Sequence, residues 1–285
     1  LGVAAYSSRI LFLLFGAGII PLVYHIAKII GKNPKLPIWS AWIIATHPII
    51  IFSSTRSIPD ILLAFFMTLA ALGVTGLLKY GNDSPKRYLW FFYLGLAFAF
   101  ETKGLPAAAL GFVAMAYMLF NPWNRIKITK LLYLPAIGIG LFIALFWFIA
   151  MYLKFGPVYL DSFIEDQVGM RVGNRLWMIV KHFIFAVLLM VLLFIPWIGL
   201  RLKGIVAGFK VTFDQDKAIY GFAVVWVLSI IGMTAMVSTF YERYLLPVTP
   251  MATVLLAGIL IRQNPAPNKG MKVWSRLFLA INWLV

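Results

Sequence analysis

The sequence predicts an all-α, polytopic transmembrane helix bundle. Of its 285 residues, 62% are hydrophobic and only 12% are charged, whereas soluble domains carry about 25% charged residues. The apolar residues form long runs, and about 20 apolar residues are needed to cross a bilayer as a helix. The gaps between successive apolar runs hold many and few basic residues in turn, as in chains that cross a membrane repeatedly.

The apolar runs predict ten membrane segments in one domain, 1–285. The segments are 7–30, 37–54, 59–79, 88–102, 104–120, 131–153, 182–200, 218–238, 244–261 and one that starts at 273. The linkers on one side contain Gly, Pro and Asn, which favour tight turns. Segment 88–102 is short and ends at a charged turn, which we expect close to the membrane surface.

The basic residues predict the orientation of the bundle. Gaps with three or four Lys or Arg alternate with gaps that hold one or none, except for the long loop 154–181. Because basic loops are retained in the cytoplasm, the Lys-rich gaps are predicted inside. The predicted external face holds most of the acids: Asp60, Glu101, Asp161, Glu165, Asp166 and Glu242. We therefore expect the chemistry of the protein on the external face.

The net charge of +16 fits basic loops that face an anionic leaflet, and we predict no nucleic-acid partner. The absence of cysteine excludes disulfides and thiolate metal sites.

Two external turns carry isolated charges. Asp60 follows Arg56 and begins a segment, so it is either a capping acid favoured by the helix dipole or a functional acid. Glu101 and Lys103 share the turn between two apolar segments, where opposite charges are usually paired or functional. Snorkelling to the interface is the alternative role for Lys103.

The loop 154–181 predicts an amphipathic helix on the membrane surface. Tyr159, Phe163, Ile164 and Val168 fall at helical spacing, with acids that include Glu165 opposite them. Farther along, Arg171 and Arg175 are four residues apart and share one helix face. Paired guanidinium groups suit a phosphate, while solvated charges or lipid headgroup contacts are the alternative. His182 is interpreted as a structural residue at the interface.

The last external turn joins Glu242, Arg243 and Tyr244 at the start of an apolar segment. An arginine among tyrosines at a membrane surface either holds an anionic headgroup or anchors the helix. The composition of the turn leaves both roles open.

Taken in order, these turns resemble the GT-C integral-membrane glycosyltransferases, in the branch of protein O-mannosyltransferases and the lipid A aminoarabinose transferase. The motifs are Ile58-Pro59-Asp60-Ile61-Leu62-Leu63-Ala64-Phe65-Phe66, Thr102-Lys103-Gly104, Ile195-Pro196-Trp197 and Glu242-Arg243-Tyr244-Leu245-Leu246-Pro247. The resemblance implies a GT-C-like fold and inverting transfer of a sugar from a polyprenyl-phosphate donor to a lipid or protein acceptor. It places the protein in the bacterial cytoplasmic membrane, with its site on the external side.

The resemblance also implies site residues. We assign binding of the donor phosphate to Lys103, Arg243, Tyr244, Arg171 and Arg175. Arg56, Glu101, Glu165 and Glu242 are expected elsewhere in the same site. Asp60 matches an acid that binds a metal in some members, so a divalent cation is the one cofactor considered.

One departure from the family concerns the catalytic base. The principal acidic motif of the family lies in a first external loop, and this chain is expected to begin just beyond that point. We therefore assign no catalytic base within 1–285. A transporter or flippase of polyprenyl-linked lipids is the main alternative, and it should show repeat symmetry and charges in mid-helix. A non-catalytic scaffold gives no reason to gather acids and phosphate-binding cations on one face.

Overall fold

The computed structural model describes residues 5–31, 33–165, 176–199, 205–262 and Arg276. The α-helices in this part of the chain are α1 (Ala5–Ile30), α2 (Lys35–Ala45), α3 (Pro48–Ser54), α4 (Asp60–Tyr80), α5 (Arg87–Lys103), α6 (Leu105–Phe120), α7 (Ile128–Leu131), α8 (Leu134–Phe155), α9 (Pro157–Ile164), α10 (Leu176–Ile198), α11 (Ile205–Phe213), α12 (Lys217–Ala235) and α13 (Thr249–Arg262). A 3₁₀ helix, Glu242–Val248, leads directly into α13.

The predicted transmembrane bundle is confirmed. Among the described residues, six helical stretches are long and apolar enough to cross a membrane, and α2 with α3 forms a seventh, bent one. The six are Arg9–Ile30, Asp60–Asp83, Leu134–Phe155, Leu176–Ile198, Lys217–Ala235 and Glu242–Ile261. Helices α8 and α10 leave most of their apolar side chains exposed, as expected where a helix faces lipid. The predicted segment from 273 lies outside the described residues.

The predicted segment 37–54 is broken into two helices. Helices α2 and α3 meet at an angle of 56°. Pro48 begins α3, and the residue before a proline is driven out of the helical region. His47 accordingly has an extended backbone (φ −75°, ψ 121°), and its buried ring packs 4.6 Å from Phe194 and 5.5 Å from Trp197 of α10. The proline thus turns one expected span into a bent pair.

Other boundaries also differ from the prediction. Helix α10 begins at Leu176 rather than at 182, and α11 occupies the linker before α12, where no helix was predicted. Helix α9 matches the expected loop helix but ends at Ile164, and residues 166–168 are not among those described. Helices α5 and α6 have 17 and 16 residues, about 25 Å each, which is short of the 30 Å hydrocarbon core.

Two glycines bring α4 and α5 into backbone contact. A Cβ atom at Gly73 would lie 2.5 Å from the backbone nitrogen of Phe92, and one at Gly95 would lie 2.6 Å from that of Ala70. Small residues permit such close approach between membrane helices. The antiparallel pair therefore places the start of α4 beside the end of α5.

The other ends of these helices carry a separate polar cluster. Lys79 near the end of α4 donates to the carbonyl of Ile30 at 3.1 Å and pairs with Asp216, the residue before α12, at 3.4 Å. The side chain of Lys130 donates to the carbonyl of Ser84 at 2.6 Å. Four Lys-rich gaps are joined by these contacts, those that contain Ile30, Lys79 with Ser84, Lys130 and Asp216, so the gaps gather at one end of the bundle. Which end faces the cytoplasm stays a prediction.

Candidate functional site

Asp60 lies at the first turn of α4, where it follows Pro59. Its side chain is only 7% exposed, and burial of a carboxylate requires compensating charges. Lys103 bonds to Oδ1, and Nε of Arg243 lies 3.5 Å from Oδ2. Asp60 is thus a buried acid held between two cations that come from different elements.

Lys103 is the last residue of α5. Gly104 follows with a φ of +66°, a value that glycine adopts readily, and this conformation ends α5 and starts α6. The Lys103 ammonium lies 4.2 Å from the centre of the Tyr244 ring, a cation–π distance. The ammonium group of Lys103 is therefore held in position by both a carboxylate and the face of an aromatic ring.

Arg243 and Tyr244 belong to the 3₁₀ helix Glu242–Val248. The Arg243 guanidinium lies 4.5 Å from the ring centre of Tyr241, and the rings of Tyr241 and Tyr244 meet edge to face at 5.5 Å. Pro247 lies within this 3₁₀ helix. Tyr241 was not assigned from the sequence, because a tyrosine at the membrane surface looks the same whether it anchors a helix or supports a cation.

Two joined cavities open at these residues. The outer cavity, of about 510 Å³, has a mixed polar and apolar lining, formed by Ser57, Ile58, Pro59, Asp60, Thr102, Lys103, Val237, Ser238, Thr239, Tyr241, Arg243 and Tyr244. The second, of about 280 Å³, is mainly apolar and lies between α6 and α12, with Leu105, Pro106, Ala109, Leu110, Ile230, Met233 and Met236 in its lining. Asp60, Lys103, Val237 and Tyr244 belong to both cavities. An amphiphile with an anionic head fits this pair.

A third cavity, of about 580 Å³, adjoins the outer one along Ser238 and Thr239. Its lining includes Lys181 and His182 of α10 together with Phe240. The Nδ1 atom of His182 lies 3.1 Å from the carbonyl oxygen of Val237, which fits an Nδ1–H that donates and leaves Nε2 as an acceptor. We term this space the side cavity.

Four other predicted site residues do not line the two joined cavities. Arg56 is exposed and stacks 3.8 Å from the ring centre of Phe52. Glu101, Glu165 and Glu242 are also exposed, and neither cavity lining contains them. Arg171 and Arg175 lie outside the described residues. Roles for these six residues stay predictions.

Asp60 alone is a poor metal site. Within the described part of the chain, no three His, Cys, Asp or Glu side chains come close enough to share a metal ion. Its two carboxylate oxygens face Lys103 and Arg243 instead, and divalent cations require several oxygen ligands. The residues present do not fit a metal ion, and metal binding at Asp60 stays an untested prediction.

Comparison with known proteins gives one family and one fold. A family model described as dolichyl-phosphate-mannose-protein mannosyltransferase matches residues 1–160. No curated protein matches the sequence.

Two crystal structures of ArnT from Cupriavidus metallidurans resemble the chain. The apo structure is 17% identical with a TM-score of 0.71, covering 97% of this chain and 48% of ArnT. The structure bound to undecaprenyl phosphate is 16% identical with a TM-score of 0.75, covering 99% and 50%. The chain thus has the ArnT helical fold and spans about half the length of ArnT.

Proposed function

Because this chain belongs to the dolichyl-phosphate-mannose-protein mannosyltransferase family, we propose that it transfers a sugar from a polyprenyl-phosphate donor to a hydroxyl acceptor. The observation that carries the proposal is the position of Lys103 and Arg243 at the mouth of an apolar cavity. A cationic rim above an apolar space matches a ligand whose phosphate is attached to a hydrocarbon chain.

The donor phosphate binds between Lys103 and Arg243 in this proposal. Charge-assisted hydrogen bonds to phosphate oxygens are short and strong, and a guanidinium offers two parallel donors. The first part of the prenyl chain enters the apolar cavity between α6 and α12. The crystal structure of ArnT with undecaprenyl phosphate supports a ligand of this class on the same fold.

The reaction is a single displacement at the anomeric carbon. The bond from that carbon to the phosphate oxygen breaks, a bond to the acceptor oxygen forms, and the proton of the acceptor hydroxyl is released to solvent. Polyprenyl phosphate leaves with one more negative charge than the donor diester carried. Lys103 and Arg243 stabilise this developing charge in a site partly closed to water. Inversion at the anomeric carbon follows from one displacement without a covalent intermediate.

The acceptor reaches the outer cavity through the side cavity. The two share Ser238 and Thr239, so a hydroxyl entering past His182 arrives next to the phosphate. The wall of the side cavity is largely apolar, which suits an acceptor that is a lipid or an apolar protein segment.

The site faces the external side of a bacterial cytoplasmic membrane in this proposal. The motivation is the alternation of Lys-rich gaps, which places the end with Lys79, Lys130 and Asp216 in the cytoplasm. Asp60, Lys103 and Arg243 then lie at the opposite surface.

The test is sugar transfer by purified protein. Polyprenyl-phosphate donors with radiolabelled sugars are incubated with membrane lipids and hydroxyl peptides, and both released polyprenyl phosphate and labelled acceptor are quantified. Lys103→Ala should abolish transfer, whereas Lys79→Ala should retain it, because Lys79 also pairs with an aspartate but at the other end of the bundle. Equal loss in both variants would reject the site.

A further inference from the structure

The charges that line the outer cavity do not cancel. Its described lining holds two cations, Lys103 and Arg243, and one anion, Asp60, which leaves a net charge of +1. Arg56 and Glu242 are exposed to solvent and lie outside the lining. Water and salt screen such exposed charges far more than buried ones. The field within the cavity is therefore set mainly by its lining charges, and most strongly by Asp60 and Lys103, because the Arg243 side chain is itself 42% exposed.

The substrate and product of the proposed function differ by about one charge. A prenyl phosphate linked to a sugar is a diester with one negative charge. The prenyl phosphate left after transfer is a monoester, and phosphate monoesters carry −1.5 to −2 at pH 7. With the diester bound, the charges of the cavity lining and the ligand sum to zero. With the monoester bound, the sum is negative.

We propose that Asp60 limits how strongly the site holds the phosphomonoester product relative to the phosphodiester donor. This inference rests on the proposed function and concerns its donor subsite. Asp60 bonds to Lys103 and faces Arg243, so it lies next to any phosphate held by both cations. The buried carboxylate repels the second charge of a monoester and so offsets part of its attraction to the two cations, which helps the spent carrier to leave. Without Asp60, two unopposed cations would retain the product.

The test compares two probes that share the prenyl chain and differ in this charge and in one methyl group. Farnesyl phosphate is the monoester, and farnesyl methyl phosphate is the diester. Each is titrated by calorimetry into the purified protein in non-ionic detergent at about pH 8, where the monoester is almost fully dianionic. The quantity that decides is the affinity for the monoester divided by the affinity for the diester.

Two substitutions should move this ratio in opposite directions. Asp60→Asn should raise it about tenfold or more, since one unit of repulsion at close range is removed. Arg243→Gln should lower it by a similar factor without altering Asp60. Asp60→Glu should keep the wild-type ratio. Asp216→Asn, which removes the acid of the cluster at the other end, should also leave it unchanged.

The outcomes separate the inference from the function on which it rests. An unchanged ratio in Asp60→Asn overturns the inference while the phosphate site stands. Should Asp60→Asn not fold, Asp60→Ala takes its place as the variant that removes the carboxylate. Failure of the wild-type protein to bind either probe overturns the phosphate site and the inference together.

Discussion

The ammonium of Lys103 lies 4.2 Å from the centre of the Tyr244 ring while Asp60 bonds it from another direction. A lysine that only snorkels toward water would extend into solvent. Its side chain is instead 23% exposed and forms part of a cavity lining. This geometry favours the functional interpretation of Lys103 that the sequence left open.

Lys103→Ala should therefore lower sugar turnover a hundredfold or more. Loss of one phosphate-facing donor costs about 3 kcal/mol of transition-state stabilisation. Lys103→Arg should rescue only part of the rate, because a planar fork replaces a compact point charge. Turnover is measured with purified variants at matched protein levels. Wild-type turnover by Lys103→Ala would return this residue to a structural role.

Tyr244→Leu should impair donor use more than Tyr244→Phe. Phenylalanine keeps an aromatic face for the Lys103 ammonium, and a cation–π contact contributes about 0.5–2 kcal/mol. We expect the leucine variant to raise KM for the donor several-fold or more, and the phenylalanine variant to stay closer to wild type. An equal increase in the KM for the donor in both variants would show that the hydroxyl of Tyr244, rather than its ring, contributes to donor use.

Gly95→Ala should destabilise the fold although alanine favours helices. The new Cβ would lie 2.6 Å and 2.8 Å from backbone atoms of Ala70 and Phe66, and overpacking costs about 1–3 kcal/mol. A lower thermal midpoint in detergent is expected, together with weaker phosphate binding. Gly138→Ala on α8 is the control, because no atom lies within 4 Å of its Cβ position. Matching midpoints for both variants would contradict backbone contact between α4 and α5.

Cysteine labelling should show Ser162 outside and Asp83 inside. The chain has no cysteine, so single cysteines report without background. Ser84 is buried and would not label from either side, whereas its neighbour Asp83 is exposed. An impermeant thiol reagent applied to intact cells should modify Ser162→Cys and spare Asp83→Cys. The reverse pattern would move the candidate site to the cytoplasmic side.

The sequence predicted the membrane segments well, because each span is a continuous apolar run. It also singled out Asp60, Lys103 and Arg243, since isolated charges are conspicuous at the ends of such runs. The need of isolated charges at membrane depth for partners predicts that these residues converge on one cavity, and the structure brings them together. The individual contacts could not be predicted, because they depend on how closely α4 and α5 approach. The apolar cavity was equally hidden, since Leu110 and Met233 look like any lipid-facing residue. The break at His47 is signalled by Pro48, because the residue before a proline disfavours the helical conformation.

The backbone contact between α4 and α5 divides the site into a fixed half and an adjustable half. Asp60 and Lys103 end two helices whose main chains touch, so little reorganisation is needed when a phosphate arrives. Arg243 sits on a 3₁₀ helix, and its side chain is 42% exposed. Under the proposed function, descendants of this chain could exchange residues around Arg243 to accommodate new sugars or acceptors, while Lys103, paired with Asp60, would continue to bind the phosphate of the carrier.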